Sequence, residues 1–233
     1  MQRDAILTRL FSGQIQRWLV CLVGFTLVTI FYSCTLSDQQ TAEDRAVDAY
    51  QTEFDNPAEL AENWKLETGE WKIENGALIG KAVGTERGVL WLEKPLSGNI
   101  QVEYDAVPLD NGWDINCILA GNGHMWSGYE IMVGGYSGSK AGLAICHINQ
   151  YGSAAKDDLE QLLLSENLRK EQEYHVRIVR TLDSIKVWLD DKLILTDTGV
   201  FEHATNKQFF AFTTWDNRVA YKNLKIQKIE SKK

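Results

Sequence analysis

Histidine and cysteine are scarce in this 233-residue chain, four of each, and their placement excludes several chemistries. The His residues are scattered and form no metal-ligand cluster, and neither Cys117 nor Cys146 has the CxxC spacing of a metal site. No EF-hand spacing occurs, and the glycines around Gly134 and Gly135 precede no helix that would make a phosphate cradle. Basic charge is outweighed, with 24 Lys and Arg against 32 Asp and Glu and a formal net charge of −8. No basic stripe is present either, so nucleic acid is excluded as a partner. Helical periods alternating with strands are also missing, which rules out a doubly wound α/β fold.

What is present begins with an address. Arg3, Arg9 and Arg17 precede a 15-residue apolar run from Trp18 to Tyr32, short for a membrane span but suited to the h-region of a secretory signal. Ser33 and Cys34 follow at once. This resembles a bacterial lipoprotein signal with Cys34 as the lipidated residue, although Phe31 and Tyr32 are bulkier than that pattern prefers. The alternatives are an ordinary signal peptide or an uncleaved anchor. The reading is therefore of an exported protein held in the cell envelope through a lipid anchor, with residues 1–33 as signal and 34–50 as a polar, acidic tether. Residues 51–230 show no break in composition and read as one folded domain. Within it, an exported compartment permits a Cys117–Cys146 disulfide, and two buried thiols are the equal alternative.

The folded part reads as strands. Alternating apolar positions flank Asn75-Gly76, a pair that accepts the positive φ of a two-residue hairpin turn, which predicts strands at 70–74 and 77–81. Further strands are expected at 88–93, 99–107, 113–119, 129–133 and 141–147, then at 174–181, 184–189, 192–196, 208–215 and 219–226. Asp190-Asp191 and Leu182-Asp183 supply tight turns. Residues 152–172 stay open between a short helix and a strand, since so few residues fix no period. About a dozen short strands and almost no helix indicate an all-β antiparallel sandwich or jelly roll.

Gly69, Trp71, Asn75, Gly76 and Leu78, preceded by Phe54 and Trp64 and answered by Tyr221, Asn223, Leu224 and Ile226, resemble the concanavalin A-like lectin/glucanase superfamily. Within it the chain is similar to laminin-G-like domains and to the 3-keto-disaccharide hydrolase-like domain common in exported bacterial proteins, over roughly residues 51–229. The resemblance implies a two-sheet antiparallel jelly-roll sandwich with its first and last strands adjacent. It also implies a carbohydrate site on the concave sheet or its rim loops. It transfers no activity, because one fold hosts lectins, hydrolases, lyases and adhesion modules.

Candidate site residues concentrate between 112 and 147. Trp113, Asp114, Asn116, Asn122, His124, Trp126, Tyr129 and Tyr136 fall within 24 positions, and rings mixed with short polar groups suit the C–H faces and hydroxyls of a sugar. Trp215, Asp216 and Asn217 add a ring, a carboxylate and an amide at a strand end. Trp71, Trp91 and Trp188 lie inside strands and are assigned to packing. For catalysis the candidates are His124 with Glu130 on the next strand, and Glu103 with Asp105, two apart on one strand face. The superfamily's retaining glucanases follow Glu-x-Asp with a second Glu, whereas Ala106, Val107 and Pro108 follow here. Asp110, Asn111, Asp114 and Asn116 are oxygen donors of the kind Ca²⁺ takes, and equally ordinary turn residues. The expected partner is an oligo- or polysaccharide bound by a surface-held module. A glycan hydrolase and a protein-contacting scaffold are the alternatives.

Overall fold

A computed structural model describes residues 49–84, 87–111, 113–148, 154–198, 209–215 and 217–229. The apolar run, Cys34, the tether up to residue 48, and Asp216 lie outside the described residues. The chain forms two antiparallel sheets. In chain order the elements are β1 (Ala49–Thr52), α1 (Glu59–Asn63), β2 (Trp64–Thr68), β3 (Glu70–Glu74), β4 (Ala77–Lys81), β5 (Gly88–Leu92), β6 (Ile100–Pro108), β7 (Asn116–Gly121), β8 (Tyr129–Gly134), the single distorted turn α2 (Gly135–Gly138), β9 (Lys140–Ile148), β10 (Ala154–Leu163), β11 (Tyr174–Arg180), β12 (Ser184–Leu189), β13 (Lys192–Thr198), β14 (Phe209–Thr214) and β15 (Arg218–Lys228). The first sheet runs β13-β12-β11-β6-β15-β4-β3, with β1 also on β15, and the second runs β10-β9-β8-β7-β14-β5-β2. The first and last strands are neighbours, Ala49 opposite Gln227, as the two-sheet jelly roll implied.

Turn chemistry sets the registers. Asn75 and Gly76 take φ of 55° and 71°, and Asp190 and Asp191 take 47° and 62°, the left-handed pairs that a twisted two-residue hairpin requires. Residues 154–163 are a strand rather than a helix: the segment pairs along the whole of β9, with a bulge between Asp158 and Glu160, and ladder bonding decides what a weak local period could not. Ala49 and Tyr50, inside the span read as tether, belong to β1, which adds to the long closing strand. The helix α1 and strand β2 were not legible, each being five residues long.

Between the sheets lies one apolar core centred on Phe212. Its ring stacks on Tyr221 at 4.0 Å, meets Phe210 and Tyr104 edge-on at 4.9 and 5.2 Å, and lies over Trp64 at 5.8 Å. Burial lifts the Tyr104 and Tyr221 hydroxyls far above their ordinary pKa, and both donate to carbonyls, Tyr104 to Ile115 and Tyr221 to Thr213.

The two outward faces differ. In the first sheet β6 and β11 alternate buried and half-buried residues, the pattern of a sheet with one wet face. In the second sheet every residue of β5, β7 and β8 is buried, so something covers its outside. Cys117 and Cys146 are both buried free thiols. Cys117 belongs to the core between the sheets while Cys146 touches the outward-facing Glu130, so opposite faces keep the two apart.

Candidate functional site on the covered face of the second sheet

Strand register assembles a row of side chains across the outside of the second sheet. Trp91 lies beside Ala211, Ala211 beside Ile118, Ile118 beside Glu130, and Glu130 beside Ala144. Next to it, Val89, Thr213 and Asn116 form a second row. Val89, Trp91, Ile118 and Ala211 make a small apolar cluster separate from the main core.

The connection from β7 to β8 provides the cover. It folds back over the sheet, so that Met125 packs on the small cluster and its amide donates to Glu67 of the edge strand β2 at 2.9 Å. The other Glu67 oxygen accepts from the Trp91 indole at 2.7 Å. Close packing fixes where the loop leaves the strand: a Cβ on Gly121 would meet the Trp91 ring at 2.2 Å. Inside the loop, the Asn122 side chain accepts from the His124 amide, the His124 ring from the Trp126 amide at 3.1 Å, and the His124 carbonyl from the Ser127 hydroxyl. These local bonds shape a turn that carries Trp126 across the sheet.

Beneath Trp126 lies the most unusual feature of the molecule. Arg87, one residue before β5, is 1 % exposed and its Nη1 stands 3.1 Å from Oε1 of Glu130, itself fully buried. The Trp215 indole donates to the same oxygen at 3.2 Å, and the Cys146 thiol approaches the other at 3.8 Å. The Trp126 ring lies over the Arg87 guanidinium at 4.6 Å and the Trp215 ring at 5.7 Å, both within cation–π range. Trp126 and Trp215 are each half-buried, with part of each ring open to solvent.

The expected site residues therefore separate. Trp126, Glu130 and Trp215 meet at one place, and Arg87 joins them. Trp113 is half-buried at the neighbouring loop, where its carbonyl accepts from Asn217 Nδ2 at 2.6 Å. Asn217 is 2 % exposed, and its Oδ1 accepts from the Asp110 and Asn111 amides. Asn116 is likewise buried, its side-chain oxygen accepting from Val133 N at 2.8 Å and its amide reaching Asp114 at 3.3 Å. Tyr129 turns into the core, 2 % exposed, and burial raises its hydroxyl pKa. Tyr136 is 59 % exposed at the β8–β9 turn, engaged by Lys140 over its ring and by Gln161.

The carboxylate pair lies on the first sheet. Glu103 and Asp105 point outward from the first sheet, where Glu103 accepts from Gln101 and Asp105 accepts from Asn223 at 2.6 Å and meets His175 at 2.7 Å. They therefore do not face Glu130, and His124 is exposed whereas Glu130 is sealed. The oxygen donors considered for Ca²⁺ are committed elsewhere: the Arg218 guanidinium holds Asp110 and pulls its carboxyl below the ordinary 3.8, while Asp114 and Asn116 bind each other. Among the described residues no three His, Cys, Asp or Glu are grouped as they would be to hold a metal ion.

Of the Trp residues assigned to packing, Trp71 lies on Gly80 and Tyr221. Trp91 is buried, but on the outward face. Trp188 is half-buried on the first sheet, with Arg177 at 3.9 Å over its ring. A hollow of about 250 Å³ lies away from the Trp126 cluster, between Leu164–Tyr174 and the β12–β13 hairpin. Sequence reasoning missed Arg87 entirely. Its one available signal was a lone Arg abutting the unbroken apolar strand Gly88–Leu92, a strand that has both faces covered.

Residues 49–227 match the family described as the 3-keto-alpha-glucoside-1,2-lyase-like domain. No curated protein matches the chain. Similar solved structures include a carbohydrate-binding module, CBM66 from Bacillus subtilis, at 18 % identity and TM-score 0.56 over 70 % of this chain and 94 % of that one. An alginate lyase, Aly36B, seen with an alginate tetrasaccharide, is 14 % identical with TM-score 0.55 over 81 % and 100 %. An endo-β-1,3-glucanase from Pyrococcus furiosus is 15 % identical with TM-score 0.54 over 78 % and 94 %. At such identities the likeness shows the fold alone.

Proposed function

We propose, from the premise that the chain belongs to the 3-keto-alpha-glucoside-1,2-lyase-like domain family, that it binds a saccharide on the outward face of its second sheet, between Trp126 and Trp215. The observation that carries this reading is the pair of half-open indoles stacked against the buried Arg87–Glu130 pair. The indole bond to Glu130 fixes Trp215 before a ligand arrives, and a pre-set aromatic face loses little entropy when a sugar C–H face packs on it, while the Trp126 loop carries its ring onto the ligand. Binding at a bacterial cell surface is part of the same proposal: the apolar run ending at Ser33-Cys34 delivers the chain to the envelope and lipid on Cys34 keeps it there. A glycan array probed with the full chain and with Trp126→Ala tests the site. Recovery of a saccharide that the variant loses is expected, and no binding, or equal binding, overturns it. Palmitate labelling that survives Cys34→Ser would remove the lipid anchor.

A second reading, turnover of a 3-keto-glucoside, is favoured by the family and by one carboxylate beneath the two rings. In such an elimination a base takes the C2 proton, the C1–O bond breaks, a C1–C2 double bond forms and the leaving oxygen gains a proton. Glu130 is the candidate base, acting once Trp126 moves aside. Appearance of the conjugated enone in ultraviolet absorbance with a 3-keto-disaccharide, abolished by Glu130→Gln, supports this reading, and no absorbance change rejects it.

A further inference from the structure

The Arg87 side chain is only half used. Nη1 reaches Glu130 at 3.1 Å and Cys146 Sγ at 3.8 Å, whereas Nε and Nη2 are buried and have no hydrogen-bond partner among the described residues. Buried polar groups are almost always paired, and two orphaned donors on one cation are costly. On the same face and two residues before Trp215, the buried Thr213 hydroxyl also has no partner. Arg87, beneath the two indoles, and Thr213, on the same face, thus both carry polar groups unpaired among the described residues.

Nε–H and Nη2–H leave one edge of the guanidinium side by side, a fork suited to two neighbouring oxygens. Adjacent hydroxyls of a pyranose, or a hydroxyl beside a carbonyl, offer such a pair. Charge narrows the class further. Glu130 already balances Arg87, so a carboxylate on the open edge would leave a buried surplus of negative charge, which costs more than placing neutral oxygens there.

We propose that Arg87 is a specificity-determining residue that receives two adjacent oxygens of a neutral sugar on its Nε–Nη2 edge. The proposal rests on the saccharide reading above. Trp126 lies over the guanidinium in the free protein, so entry of the sugar moves this ring off the cation and onto a C–H face of the ligand. Its loop is bounded by Gly123 and Gly128, with φ of 87° and 82°, and Gly123 has open space around it.

The test is a side-chain ¹H–¹⁵N spectrum of the full chain, with the Arg87 Nε resonance identified by its loss in Arg87→Lys. Maltotetraose, cellotetraose and laminaritetraose serve as neutral probes and alginate tetrasaccharide as the acidic one. The expected result is a shift of the Arg87 resonance with a neutral probe, and affinity for that probe at least about tenfold weaker in Arg87→Lys. A neutral probe that binds while the resonance stays still, as trapped water on the donors would cause, overturns the role of Arg87 and leaves the saccharide reading standing. Tighter binding of the alginate probe through Arg87 overturns the neutral class. Failure of all four probes to bind overturns the saccharide reading together with this one. Where the variant does not fold, the Nε resonance is assigned in the wild-type chain through its bonded side-chain and backbone nuclei, and its shift alone decides the matter.

Discussion

The outward faces of the two sheets carry similar groups in opposite settings. On the first, Arg177 over Trp188, His175 beside Asp105, and Lys222 beside Glu173 at 2.8 Å stand at the solvent boundary, with the His175 side chain 43 % exposed. On the second, Arg87 under Trp126 and beside Glu130 is shut off from water at 1 % and 0 % exposure. Screening makes the first set interchangeable decoration of a wet sheet, whereas desolvation makes each member of the second set dependent on its partner. A chain that needed only stability would place apolar residues in the covered position, since a buried ion pair seldom outperforms a hydrophobic replacement. The covered ion pair is therefore the feature on which the proposed sugar site rests.

The largest expected effect that tests this contrast is Glu130→Ala, which leaves Arg87 buried and uncompensated. Denaturant unfolding should show a loss of about 3–5 kcal/mol, and a loss below about 1 kcal/mol would mean that water reaches the pair. Next comes Gly121→Ala, whose added methyl meets the Trp91 ring at 2.2 Å. A cost of about 1–3 kcal/mol is expected from the overpacking, and an unchanged midpoint would show the loop to be loosely laid. On the first sheet, Asp105→Ala should cost under about 1 kcal/mol, since its His175 partner is half exposed.

The smallest effect is a pH dependence at Asp110. Arg218 lowers its folded pKa below the ordinary 3.8, so its contribution is present above the unfolded value and fades as pH falls through the lowered one. Melting temperature against pH should therefore have a slightly shallower acid limb in Asp110→Asn, and identical limbs would show the surface pair to be idle. Burial raises the Cys117 thiol pKa, so Cys117 should resist alkylation until global unfolding.

Much of the scaffold was legible because it is written in local chemistry. Asn75-Gly76 and Asp190-Asp191 name their turns, and the alternation of Ile100, Val102, Tyr104 and Ala106 names the buried side of β6. The site was legible in its rings but not in its geometry. Trp126 and Glu130 are far in sequence from Trp215 and from Arg87, and they meet because β14 lies between β5 and β7. The same pairing order puts Glu103 and Asp105 on the other sheet, though no local pattern separates them from Glu130. Tyr129 shares its strand with Glu130 and points the opposite way by simple alternation. Which parity faces the core was ambiguous in a strand apolar on both sides. Arg87 was invisible because its function depends on what covers it, and the cover is a loop from elsewhere in the chain.

The most direct measurement is a paired one: affinity of the full chain for the saccharide recovered on the array, determined for Trp126→Ala and for Trp188→Ala. Both substitutions remove an indole stacked on an Arg, one from each outward face. Loss of at least about tenfold in affinity with Trp126→Ala, beside near-native binding with Trp188→Ala, is the expected result. Binding that survives Trp126→Ala and fails in Trp188→Ala would place the sugar on the wet face of the first sheet and contradict the account.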